Sequence, residues 1–133
     1  MIARARPNVV DSSAWLAYFA DEPTAADFAP AIETTARLVV PAICLLEVFK
    51  IVARERDEGA ALQAVALMQQ GEVVELDSAL AMSAARVGLA HGLPLADSIV
   101  YATARAVGGV VWTQDEDFAS LPDVEYRAKA RRG

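Results

Sequence analysis

The sequence is poor in the residues that many active sites borrow. Its 133 residues include one cysteine, Cys44, and one histidine, His91. One cysteine excludes an internal disulfide and any multi-cysteine zinc site, and one histidine excludes paired-imidazole chemistry within a chain. Long hydrophobic runs are also missing. The longest, Leu38 to Leu46, has 9 residues and contains Pro41, well short of the ~20 that span a bilayer. At the start, Arg4 and Arg6 are followed by only Val9 and Val10 before Asp11, which does not read as an export signal. No membrane partner is expected, and a reduced cytoplasmic setting is the natural expectation.

Positive charge is scarce where it would matter for a nucleic-acid binder. The chain has 12 basic and 18 acidic residues, and 6 of the basic ones lie outside the stretch 7–126. All 18 acids lie inside it, so this body carries a net −12. That is not the footprint of a protein that holds nucleic acid by counterion release. The ends 1–6 and 127–133 carry Arg4, Arg6, Arg127, Lys129, Arg131 and Arg132. They read as flexible, solvated basic ends, with a phosphate-contacting arm as the alternative for the tail.

What is present is apolar mass in a regular order. Hydrophobic residues make up 55% of the chain, which excludes a disordered segment and predicts a single domain over 1–133. Short β-rich runs alternate with longer helical patterns. Asn8 to Asp11, Leu38 to Val40 (stopped by Pro41), Val73 to Leu76 and Val110 to Thr113 read as strands, with Val124 to Tyr126 as an edge strand. Helices are predicted from Ser12 and Ser13 to Phe19, Pro23 to about Ala36, Ile43 to Asp57, and Ala60 to Gln70 with Gly71 as left-handed cap. Two more run from Ser78 to His91-Gly92 and from Leu95 to Val107, the last opened by Pro94 and closed by Gly108-Gly109. Strands this far apart need crossover connections. The prediction is an α/β fold with a parallel sheet of four to five strands, covered by helices on both faces. Chemistry in such sheets gathers beyond the carboxyl ends of the strands.

A few acids stand where an apolar pattern should continue. Asp11 ends the first strand, and Asp115 follows the fourth by two residues. Glu47 interrupts an apolar helix whose neighbouring positions are Ile43, Cys44 and Ile51, and Asp97 lies in the first turn of another. Each has an ordinary alternative: Asp11 as an N-cap, Asp97 as a dipole-favoured acid, Glu47 paired with Lys50, Asp115 and Asp117 as turn formers. Together they imply repulsion that a divalent cation would remove. An all-carboxylate set suits Mg²⁺ or Mn²⁺ and phosphodiester hydrolysis. His91, beside Gly92, reads as a helix cap.

On these residues the sequence resembles the PIN-domain ribonucleases, most closely the VapC-type toxins of bacterial toxin–antitoxin pairs. The matching pieces are Val9-Val-Asp-Ser-Ser-Ala-Trp15, Leu46-Glu-Val48, Leu93-Pro-Leu-Ala-Asp-Ser-Ile99 and Thr113-Gln-Asp-Glu-Asp-Phe118. The resemblance implies a metal pocket of Asp11, Glu47, Asp97 and Asp115, with Asp11 and Asp97 as direct ligands. Glu47 and Asp115 would position waters or a second ion, Asp117 is a secondary candidate, and Ser13 or Thr113 would orient a carboxylate. It also implies an RNA substrate, a homodimer, and a cognate antitoxin that blocks the pocket. A phosphate-signalling receiver would want paired acids after the first strand and a lysine after the last, whereas Asp11 stands alone and neither Lys50 nor Lys129 reads as well placed. A phosphatase of the Asp-x-Asp type is opposed by Ser13. A catalytically silent binding module of the same fold is the remaining alternative.

Overall fold

Successive residues of a strand point to opposite faces of its sheet, so a strand buried at every position must be covered on both. The computed structural model, which describes residues 5–129, shows this for β1 (Asn8–Val10) and β2 (Leu38–Pro41), both buried throughout. With β3 (Glu72–Val74), β4 (Val110–Thr113) and β5 (Val124–Tyr126) they form a sheet in the order β3-β2-β1-β4-β5. Every pairing is parallel. The helices are α1 (Ser12–Phe19), α2 (Ala25–Glu33), α3 (Ala42–Glu55), α4 (Glu58–Met68), α5 (Ser78–His91) and α6 (Leu95–Val107). None is long and apolar enough to cross a membrane among the described residues.

The helix α6 carries the centre of the fold. Eight consecutive residues, Asp97 to Ala104, are buried, because α6 packs on β1, β2 and β4 on one side and on α5 on the other. Trp15, Phe28, Met68, Tyr101 and Phe118 are completely enclosed, each large apolar side chain contributing roughly 1.5–3 kcal/mol. Strand order gives the site its place. The chain moves from β1 to β2 and β3 in one direction, and β4 then lies on the opposite flank of β1. The crevice at that reversal, at the carboxyl ends of β1 and β4, is where ligands of open parallel sheets bind.

Several local expectations are corrected. Asp11, not Ser12 or Ser13, caps α1, accepting from the Ser13 amide, and Asp77, not Ser78, caps α5, accepting from the Leu80 amide. A carboxylate one position earlier takes the same orphan amides that a hydroxyl would. The helix expected to reach Ala36 ends at Glu33 and continues as a 3-10 turn over Thr35–Arg37. The third strand is shorter than Val73 to Leu76 and begins at Glu72. Gly71 is not a left-handed cap; positive φ among glycines falls on Gly92 and Gly108. Its lack of a side chain serves packing, since a Cβ there would lie 2.7 Å from Leu38 Cγ and 2.8 Å from Leu38 O.

The basic ends also differ from the expectation where they are described. The Arg6 guanidinium donates to Gly108 O, Gly109 O and Asp123 Oδ1 at 3.1, 2.9 and 2.8 Å. It thereby fastens the entry to β1 onto the turns flanking β4, including Asp123, which has φ +61°. Arg127 donates its amide to Thr113 O at 2.9 Å, pairs with Glu125 and sits over the Trp112 ring. Neither residue is a free, solvated arm. Arg4, Arg131 and Arg132 lie outside the described residues. His91, expected as a cap, is the last residue of α5 and meets the Tyr101 ring edge-on.

Candidate metal centre

Asp11 is held before any ligand arrives. The β1–β4 pairing brings Thr113 beside it, and α1 turns Ser13 back over it. Ser13 Oγ and Thr113 Oγ1 donate to the same carboxylate oxygen, Oδ2, at 2.6 and 2.8 Å, and the Ser13 amide adds a third donor at 3.3 Å. No hydrogen bond among the described residues reaches Oδ1. Both hydroxyls named in the sequence therefore act on one carboxylate. Asp11 is 3% exposed, and burial, opposed by these hydroxyls, raises its pKa above the usual carboxylate range.

Each hydroxyl is in turn fixed by backbone. The Gln114 amide donates to Ser13 Oγ at 3.1 Å and the Asp115 amide to Thr113 Oγ1 at 2.9 Å. Beyond them Asp115 Oδ1 accepts from the Asp117 amide at 2.9 Å, closing the 3-10 turn Glu116–Phe118. That turn presents two acids towards α6. Asp97, Asp115 and Asp117 each offer a carboxylate oxygen within 4.8 Å of the others. Asp97, in the first turn of α6 and 8% exposed, has its pKa pushed up to about 8. Burial is the first cause, followed by the charges of Asp115 and Asp11 and a hydrogen bond with Asp117 that requires its protonated form.

The expected quartet is thus only partly assembled. Asp11, Asp97 and Asp115 share one edge and sense one another's charge. Asp117, expected as secondary, belongs to the tight cluster. Neither Asp11 nor Glu47 does: Asp11 is held by Ser13 and Thr113, and Glu47 Oε1 accepts from Ser12 Oγ at 2.7 Å, which ties α3 to the start of α1, while Glu47 makes no ion pair with Lys50 among the described residues. Cys44 is fully buried behind both, its thiol within reach of Val10 O and its pKa raised by burial.

Sequence reasoning missed three residues. Ser12 reaches Glu47. Buried Gln114 accepts from Thr24 Oγ1 at 2.8 Å and donates to Glu22 Oε2 at 3.3 Å, bracing the acidic loop against the α1–α2 turn. Lys129, assigned to a flexible end, lines an open groove of about 750 Å³ together with Ser13, Gln114, Asp115 and Asp117.

All donors here are carboxylate oxygens, the hard set that Mg²⁺ and Mn²⁺ prefer, with no nitrogen or sulfur to attract zinc. Removal of one hydroxyl gives a direct check on this arrangement. Thr113→Val should weaken Mn²⁺ binding roughly ten- to a hundredfold, since a hydrogen bond to a charged group is worth ~1.5–3 kcal/mol. Calorimetric titration with Mn²⁺ would show it; unaltered affinity would mean that Thr113 does not orient Asp11.

A parallel sheet with an acidic pocket at its point of reversal defines a small class of α/β domains. The PIN domain family model matches residues 9–124, and the chain belongs to that family. A search of curated proteins gave no match. Among solved structures, a toxin–antitoxin complex from Klebsiella pneumoniae is similar, at TM-score 0.75 and 19% identity over 93% of this chain and 99% of that one. VapC20 of Mycobacterium tuberculosis, described as a toxin that cleaves the sarcin–ricin loop, gives 0.74 and 22% over 90% and 98%. A DNA-bound VapBC from Salmonella typhimurium gives 0.71 and 15% over 93% and 98%. At these identities the likeness is one of fold.

Proposed function

We propose that the protein is a divalent-cation-dependent endoribonuclease and the toxin component of a toxin–antitoxin pair, acting in the cytoplasm as a homodimer. The observation that carries this reading is the convergence of Asp97, Asp115 and Asp117 beside the oriented carboxylate of Asp11 in a PIN domain. Membership in that family and the toxins among the similar structures support it.

In this reading Asp11, Asp97, Asp115 and Asp117 hold the cation, which is Mg²⁺ or Mn²⁺. When bound it supplies Lewis-acid charge to a phosphodiester and makes an attacking water more acidic. The chain's own residues do the positioning. Ser13 and Thr113 keep Asp11 Oδ2 occupied, which leaves Oδ1 for the ion. Asp115 shapes the turn that brings Asp117 opposite Asp97. Glu47, reached through Ser12, adds negative charge behind the pocket and is a site for orienting water. The body's net −12 suits a cognate antitoxin that blocks the pocket with basic side chains.

The test is cleavage of total cellular RNA by the purified protein. Fragments should form with Mg²⁺ or Mn²⁺ and disappear with EDTA. Cleavage that persists in EDTA would refute the metal mechanism, and an intact RNA pool with either ion would refute the nuclease.

A further inference from the structure

The loop that follows β4 has to be held against its own charge. Asp115, Glu116 and Asp117 are consecutive, and carboxylates this close repel one another. Gln114, just before them, is 5% exposed and directs its side chain away from the acids, to the turn between α1 and α2. That turn is itself well fixed. Asp21 takes a left-handed conformation at φ +51°, and the Glu22 amide folds back onto Ala17 O at 3.0 Å, the closure that sets the path of a chain leaving a helix. Glu22 O then accepts from the Ala25 amide at 2.9 Å as α2 begins.

Glu22 and Thr24 meet both ends of the Gln114 side-chain amide. Thr24 Oγ1 donates to Oε1 at 2.8 Å, and Nε2 donates to Glu22 Oε2 at 3.3 Å. A flipped amide would set its oxygen against the Glu22 carboxylate, so the orientation is determined. The backbone of the same residue faces the metal centre. Its N–H donates to Ser13 Oγ at 3.1 Å, and Ser13 Oγ donates to Asp11 Oδ2 at 2.6 Å. The Ser13 hydroxyl has one proton and a second acceptor in reach, Thr113 Oγ1 at 3.2 Å. A small shift of the loop would exchange one acceptor for the other.

We propose that Gln114 is a positioning residue for the metal centre: its side chain clips the acidic loop to Glu22 and Thr24, and its backbone N–H thereby aims the Ser13 hydroxyl at Asp11. This rests on the metal-dependent reading of the pocket and extends the support of Asp11 to the α1–α2 turn.

The experiment measures Mn²⁺ affinity of the full chain by calorimetric titration, without RNA, in variants of unchanged net charge. Q114M keeps the side-chain length and removes both contacts, and should weaken binding about tenfold, the low end for groups that orient metal ligands. T24V removes one neutral hydrogen bond and should weaken it about threefold. Q114E/E22Q reverses the polarity of the clip: an amide at position 22 donates to a carboxylate at 114, and Thr24 keeps its acceptor. The charge moves by little more than the 3.3 Å of that contact, and native affinity should return. In a Ser13→Ala background, which lacks the hydroxyl to be aimed, Q114M should cost no further affinity. A residue that merely kept the fold intact would weaken binding equally in both backgrounds. Melting curves in EDTA show which variants are folded, and T24V, which keeps the side-chain shape, replaces Q114M in the comparison if the latter is not. Native affinity in Q114M and T24V, no recovery in Q114E/E22Q, or an equal loss with and without the Ser13 hydroxyl each overturns the proposal. The nuclease reading fails separately: a chain that binds Mn²⁺ with this pattern and cuts no RNA keeps the clip and loses the enzyme.

Discussion

Asp97→Asn should reduce metal-dependent RNA cleavage roughly 10²–10³-fold, the equivalent of a few kcal/mol of lost electrostatic stabilisation, and should make the metal-free protein more stable at pH 8. The two effects share one cause. Asp97 is buried beside Asp115, Asp117 and Asp11, with its pKa pushed up to about 8, so at that pH about half the molecules carry a charge that the surroundings oppose. Asparagine keeps the shape, removes the charge, and supplies an amide that the neighbouring carboxylates can accept from. It cannot replace an anionic ligand. Initial rates on RNA and melting curves in EDTA give the two readouts. A destabilised variant would show that the Asp97 carboxylate holds the fold together, and full activity would remove it from the metal site.

The residues that set this trade-off were visible in the chain to differing degrees. Asp11 and Asp97 stood out because a charge interrupts a run that burial requires to be apolar, and both are among the most buried acids. The alternation of strand and helix gave the parallel sheet for a similar local reason. What periodicity does not contain is which strand lies next to which. The β1–β4 pairing places Thr113 on Asp11 across 102 positions, and Gln114 meets Thr24 across 90. Glu47 illustrates the converse: its unusual position was clear, but its partner Ser12 depends on how α3 docks against α1. The position of Gly71 after a helix suggests a cap, whereas the deciding contact is with Leu38 on a neighbouring strand. Charge alone places Lys129 in a tail, although the chain from β5 runs back beside the acidic loop.

Without a divalent ion, raising the pH should lower the stability of this protein through the acidic pocket. Asp97 is raised from 3.8 to about 8 in the folded state, and Asp11 is shifted in the same direction. A carboxyl that holds its proton more tightly when folded stabilises the fold fully below pH 4, and this contribution is lost as pH rises towards 8. The native protein's melting temperature in EDTA should therefore fall relative to that of Asp97→Asn across this window. The comparison cancels the titration of groups that the two proteins share. Mg²⁺ or Mn²⁺ should reverse the trend, because the ion binds the deprotonated carboxylates and competes with protons for them. At a hundredfold excess over its Kd, an ion adds ~2.7 kcal/mol, or roughly 10 °C for a domain of this size. The shift should be large at pH 8, small at pH 5 and nearly absent in Asp97→Asn. A native-minus-variant difference that stays flat with pH would mean that the crowded acids exert no strain on the fold, and an equal ion effect at both pH values would place the cation elsewhere on the surface.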